Sequence, residues 1–202
     1  MDAFEQFRIW LRYSRLTATL IAVSAVIALL SSLGSNYQVL QFLFISEYRG
    51  GLPEIFGGQL WRLVTPIFIH FGILHFVFNM MWLYDLGSTV EQRQGIGRMA
   101  ILVIVTAVLS NLGQFFWGGP GFGGMSGVVY GLLAYVWVQG NYNPRAGIGL
   151  HQNIAIMMLI WFVVCWLGLV GNVANMGHTV GLICGALLGL IFSPQFWRRL
   201  RN

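Results

Sequence analysis

Two side chains in this chain have the makings of a hydrolytic pair. Ser126 sits in Gly123-Gly124-Met125-Ser126-Gly127, where a glycine-rich stretch runs into a strongly apolar segment. His178 follows Gly177 at the head of another apolar segment, with Gly181 and Gly185 behind it. A hydroxyl suits lipid poorly and nucleophilic attack well, provided an imidazole can take its proton. His75 and Asn79 are spaced i, i+4, so one helical face would carry both. Together with the Ser126 backbone N–H they could donate to a developing oxyanion. Tyr130, four residues past Ser126 on the same face, is either core filling or a ring against the histidine.

Each residue also has a plainer use. A serine before a helix commonly caps it, and for Ser126 taken alone that reading is the better one. His178 could bond only within a bundle, and His75 and Asn79 only to the preceding connection. Gly181, Gly185 and Gly189 recur every fourth residue, the pattern of a close-packing face. His178 shares that face with Gly181 and Gly185, so tight packing would carry its ring toward a neighbour. Taken together, these coincidences favour a site.

Composition says what must position these groups. Of 202 residues, 57% are hydrophobic and 8% charged, against about 25% charged in soluble domains. The expected fold is all-α, a polytopic membrane protein with six transmembrane helices. Apolar segments at roughly 16–34, 73–91, 98–116, 126–140, 153–170 and 177–193 approach the ~20 residues that cross ~30 Å of hydrocarbon. The net charge of +5 comes from arginine, with no lysine, and is loop charge that sets orientation rather than a nucleic-acid footprint. Arg8, Arg12, Arg15, Arg93, Arg98, Arg145, Arg198, Arg199 and Arg201 fall on one side of the spans, Arg49 and Arg62 on the other. By the positive-inside rule both termini are cytoplasmic.

The expected organisation is a short cytoplasmic segment (1–15), a six-helix core (16–193) and a basic cytoplasmic tail (194–202). Leu16–Leu33 is too long for a signal-peptide core and no A-x-A site follows it, so it reads as a retained first span. Residues 35–72 form a long, membrane-associated first external connection, with a short interfacial helix near Tyr37–Phe44 and Trp61 as an anchor. Cys165 and Cys184 lie in apolar segments and read as unpaired packing residues.

Spans two, four and six run inward, which brings His75, Asn79, Ser126 and His178 to a similar outer level. From Ser126 to Gly140 is 15 residues, or about 22 Å of helix, which sets Ser126 roughly 8 Å below the outer edge of the hydrocarbon. Non-helical backbone at that depth must be buried in protein or line a watery cavity. No carboxylate stands ready to complete a triad. Asp85, the acid well inside a span, is ten residues beyond His75, or about 15 Å deeper. A Ser126–His178 dyad follows, with Tyr130 orienting the ring. A zinc protease would want His-Glu-x-x-His, which is absent, and an aspartyl enzyme would want a second carboxylate. No metal or other cofactor is expected.

At these residues the chain resembles the rhomboid family of intramembrane serine proteases, and within it the bacterial GlpG type. The resemblance runs from about Trp61 to Phe192. It rests on Trp61-Arg62, His75-x-x-x-Asn79, Glu91-x-Arg93, Gly124-x-Ser126-Gly127-x-x-Tyr130 and Gly177-His178-x-x-Gly181-x-x-x-Gly185. It implies that Ser126 is the nucleophile, His178 its base, His75 and Asn79 oxyanion donors and Tyr130 a ring stacked on His178. It makes Trp61-Arg62 and Glu91-x-Arg93 structural ties. It also implies a helical substrate arriving sideways near Trp161, Phe162 and Trp166, beneath a mobile cap at 170–176. Expected partners are transmembrane protein substrates and the lipid bilayer, with no nucleic acid and no obligate partner, in a bacterial inner membrane. GlpG-type proteins often carry a folded cytosolic N-terminal domain; here about 15 residues precede the first span. Asp85 is unexpected at its position. Two other classes stand beside this reading. One is a rhomboid-like binder that does not cut. The other is a small transporter, which would call for an inverted repeat that the sequence does not display.

Overall fold

The computed structural model describes residues 2–171 and 173–201, with the backbone alone for Arg199, Leu200 and Arg201. Asn172 of the expected cap, the Arg199 and Arg201 side chains of the basic tail, and the terminal Met1 and Asn202 lie outside the described residues. The described residues form helices and turns with no β-strand. In chain order the helices are α1 (Ala3–Tyr13), α2 (Arg15–Leu30), the single turns α3 (Tyr37–Leu40) and α4 (Pro53–Phe56), α5 (Ile73–Trp82), α6 (Ser88–Gln94), α7 (Ile96–Gly118), α8 (Ser126–Tyr142), α9 (Gln152–Trp166), α10 (Asn175–Ile191) and α11 (Pro194–Arg201). A wide π turn, Leu83–Gly87, joins α5 to α6.

Four boundaries differ from expectation, the first two for local backbone reasons. The 1–15 segment is helical through α1, which meets α2 at a bend of 101°. The break falls at Ser14, whose extended-to-bridge backbone (φ −132°, ψ 46°) ends one helix and begins the next. The first apolar helix stops at Leu30, because Ser32 and Leu33 turn left-handed (φ 49° and 53°). The expected helix near Tyr37–Phe44 is one turn, and α9 ends at Trp166. By length and composition α7 is long and apolar enough to cross a membrane unaided; the bent α1–α2 pair passes only as one unit, and α9 and α10 are shorter apolar helices.

The bundle is built around α8, where every residue from Gly127 to Val136 is buried. Its closest neighbour is α10, followed by α7. Leu29, Ile104, Phe116, Ile160 and Leu187 face outward uncovered. So continuous an apolar exterior calls for an apolar surrounding.

Polar side chains tie distant parts together. The Glu91 carboxylate accepts from the N–H groups of Leu16 and Thr17 and from the Thr17 hydroxyl, each at 2.8 Å. It thereby caps α2 and faces the positive end of its dipole. Arg93 is exposed. In the 35–72 connection, buried Arg62 donates to the carbonyls of Gln41 (2.7 Å) and Phe44 (2.8 Å) and to Gln59 Oε1 (2.7 Å). The Trp61 indole N–H donates to Phe42 O at 3.3 Å. Removing Arg62 would leave those buried carbonyls unpaired.

Candidate active site

A seam of bare backbone sets the relation between α8 and α10. A Cβ placed on Gly181 would overlap the Gly127 carbonyl, and one on Gly185 would overlap the Gly131 carbonyl. With no side chains in between, the helices approach as closely as backbone permits. Ser126 at the head of α8 and His178 in the first turn of α10 meet at the end of that seam.

Their contact is direct: His178 Nε2 and Ser126 Oγ are 2.8 Å apart. Ser126 is the first helical residue rather than the cap, and the α8 N-cap position belongs to Met125. Its hydroxyl is engaged by the imidazole. The Ser126 N–H lies in a first turn, where backbone donors have no intrahelical acceptor. His178 is 5% exposed, and its Nδ1 has no hydrogen-bond partner among the described residues. The Tyr130 ring lies 4.8 Å from the His178 ring at 38°. Its hydroxyl reaches Met158 O at 3.4 Å, and Phe162 meets it edge-on at 5.5 Å.

The glycine-rich approach to Ser126 explains how His75 joins this group. Gly124 has φ +127°, and a Cβ there would lie 2.7 Å from His75 Nε2 and 3.7 Å from Ser126 Oγ. Glycine thus lets the chain turn and leaves room for the ring beside the hydroxyl. His75 Nδ1 accepts the Phe71 N–H at 3.2 Å. In a neutral ring the proton then sits on Nε2, on the Gly124 side. Asn79 Nδ2 donates to the His75 carbonyl at 2.8 Å, which leaves one amide hydrogen for other use. Asp85 is exposed on the π turn, away from this group.

A cavity of about 1320 Å³ opens in front of these residues, with His75, Asn79, Ser126, Tyr130, Trp161 and His178 among its lining. α5 and α9 form its flanks. Behind Ser126 is a hollow of about 10 Å³, lined by Ser110, Gln114 and Gly177 among others, about the room one water needs. Sequence reading passed over this back wall. Asn111 donates to Leu63 O at 2.9 Å, and Gln114 Oε1 accepts the Gly177 N–H at 3.1 Å. The signal was present: Ser110, Asn111 and Gln114 are polar residues deep in an apolar helix, at one-turn spacing.

A family model for the Rhomboid domain matches residues 57–195. The chain belongs to the rhomboid family. Its likeness within that family is to the bacterial GlpG type. It is 37% identical over 176 residues to the protein named Rhomboid protease GlpG from Photorhabdus laumondii, covering 87% of this chain and 60% of that protein. Its namesakes from Salmonella paratyphi A and Salmonella choleraesuis are 40% and 41% identical over 134 residues, which is 66% of this chain and 49% of each relative. The chain therefore spans about half the length of the curated relatives it matches, and somewhat more for Photorhabdus.

Proposed function

We propose that this chain is an intramembrane serine endopeptidase. It crosses a bacterial inner membrane six times with both termini cytoplasmic, and cuts membrane-protein substrates in or beside their transmembrane segments. The observation that carries the reading is the 2.8 Å contact between Ser126 Oγ and His178 Nε2, facing a cavity large enough for a peptide. The arginine distribution and the uncovered apolar exterior support the membrane arrangement.

The chemistry runs through these groups in turn. Ser126 Oγ attacks the scissile carbonyl as His178 Nε2 takes its proton. Negative charge gathers on the carbonyl oxygen. The Ser126 N–H, the His75 Nε2–H and the free Asn79 amide hydrogen are the donors within reach, fixed before reaction begins. His178 returns its proton to the leaving amine. Water from the cavity, activated by the same imidazole, then releases the acyl group from Ser126. Among the described residues no acid meets His178; the packed Tyr130 ring orients it. Substrate helices must unwind to present a bond, since a helix in lipid pairs all its backbone groups internally.

Co-expression with a tagged single-span reporter tests this reading. Wild type should yield the cleaved fragment, and Ser126→Ala and His178→Ala should not. A fluorophosphonate probe should label the wild type and spare Ser126→Ala. Equal fragment yield from all three proteins ends the protease reading, and a binder that does not cut takes its place.

A further inference from the structure

α1 is unlike the rest of the bundle. Its start is fixed by Asp2, which accepts the Glu5 N–H at 2.7 Å, and its direction by the 101° bend into α2. If α2 spans the bilayer, as the proposed function holds, α1 lies along the membrane surface at the inner end. Phe4, Phe7 and Leu11 recur at i, i+3 and i+7 and are all exposed, while Arg8 and Arg12 sit one turn apart along the border of that apolar arc. The Arg8 guanidinium carbon is 6.0 Å from the Phe4 ring centroid, as in a side chain that lays its stem over apolar surface and lifts its charge. One residue of α1 faces protein. The Trp10 N–H donates to Ser88 Oγ at 2.7 Å, and its ring lies 5.0 Å from Tyr84. That anchor holds the helix in place and leaves its other faces open.

We propose that α1 is a lipid-binding element, seated in the inner headgroup layer, that takes anionic phospholipids through Arg8 and Arg12. An apolar arc bordered by paired arginines, whose stems can run along it while their charges rise to phosphate level, matches the boundary between hydrocarbon and anionic headgroups. Arg15, exposed at the head of α2, adds a third positive charge close by in the chain.

The test is amide hydrogen exchange on the full chain, reconstituted in vesicles of phosphatidylcholine alone or of phosphatidylcholine mixed with phosphatidylglycerol. Amides of Ala3–Tyr13 should exchange about tenfold more slowly in the mixed vesicles, and high salt should remove the difference. The double variant Arg8→Gln, Arg12→Gln should also remove it. Equal exchange in both vesicles, with α7 protected, overturns this proposal alone. Protection that disappears when the protein is diluted in the vesicle points to a second copy as the partner and also overturns it. Rapid exchange across α7 in either vesicle defeats the membrane-spanning reading, and this proposal with it.

Discussion

The α8–α10 seam, which delivers Ser126 and His178 to the cavity, and the α9 flank of that cavity are built in opposite ways. Along the seam, Gly127 and Gly131 meet Gly181 and Gly185 backbone to backbone. α9 buries only Met158 and Cys165, and turns Ile156, Ile160, Trp161 and Val163 outward. Its contact with α10 is slight. The reacting atoms thus ride on tightly packed backbone, and the cavity wall on a sparsely packed helix. Fixing a hydroxyl against a base rewards rigidity, because small misplacements cost rate heavily. Admitting a bulky chain rewards slack.

Substitutions on each side can break or sharpen that contrast. The largest effect should come from Ser126→Ala, which should lower reporter cleavage by a factor on the order of 10⁴ or more and leave the thermal midpoint near the wild-type value. Gly185→Leu should abolish cleavage by another route: forcing the seam apart should cost about 3 kcal/mol or more, seen as a lowered midpoint in the same membrane mimetic. The oxyanion donors come next. His75→Ala should reduce the rate by about 10²–10³, and Asn79→Ala by about tenfold, because half of its donor capacity serves its own helix. Tyr130→Ala should cost about 10² in rate through a loosened His178, whereas Tyr130→Phe should stay within about threefold, since a 3.4 Å hydroxyl bond contributes little. The smallest effect belongs to the flank: Ile160→Ala should shift stability by no more than about 0.5 kcal/mol. A large loss of stability there would show α9 to be as firmly held as the seam and would remove the contrast.

The same contrast governs what could be read from sequence. Seam residues leave a mark because their requirement is local: Gly181, Gly185 and Gly189 recur every fourth residue, Gly181 lies three past His178, and Tyr130 lies four past Ser126. The helical character of the bundle was legible for the same reason, since long apolar stretches with arginine-bearing joints admit few other forms. The Ser110–Gln114 wall went unread because its polar residues look like tolerated exceptions until the Gly177 N–H is placed opposite them. Residues 1–15 read only as a short cytoplasmic segment, because Ser14 hides a change of direction that no composition reveals. The Phe4, Phe7 and Leu11 spacing was nonetheless a helical signal. The π turn at Leu83–Gly87 left no trace. One extra residue per turn depends on what packs outside it, here Thr17 and Met99 against Gly87.

Peptide units, not side chains, set the distance between the two halves of the seam, and peptide units scarcely compress. A bilayer that thins, thickens or curves can lean the whole bundle or swing α9. It has no soft material between Gly131 and Gly185 on which to act. Lipids of different chain length should therefore alter which molecules reach the hydroxyl far more than how fast it reacts once they are there.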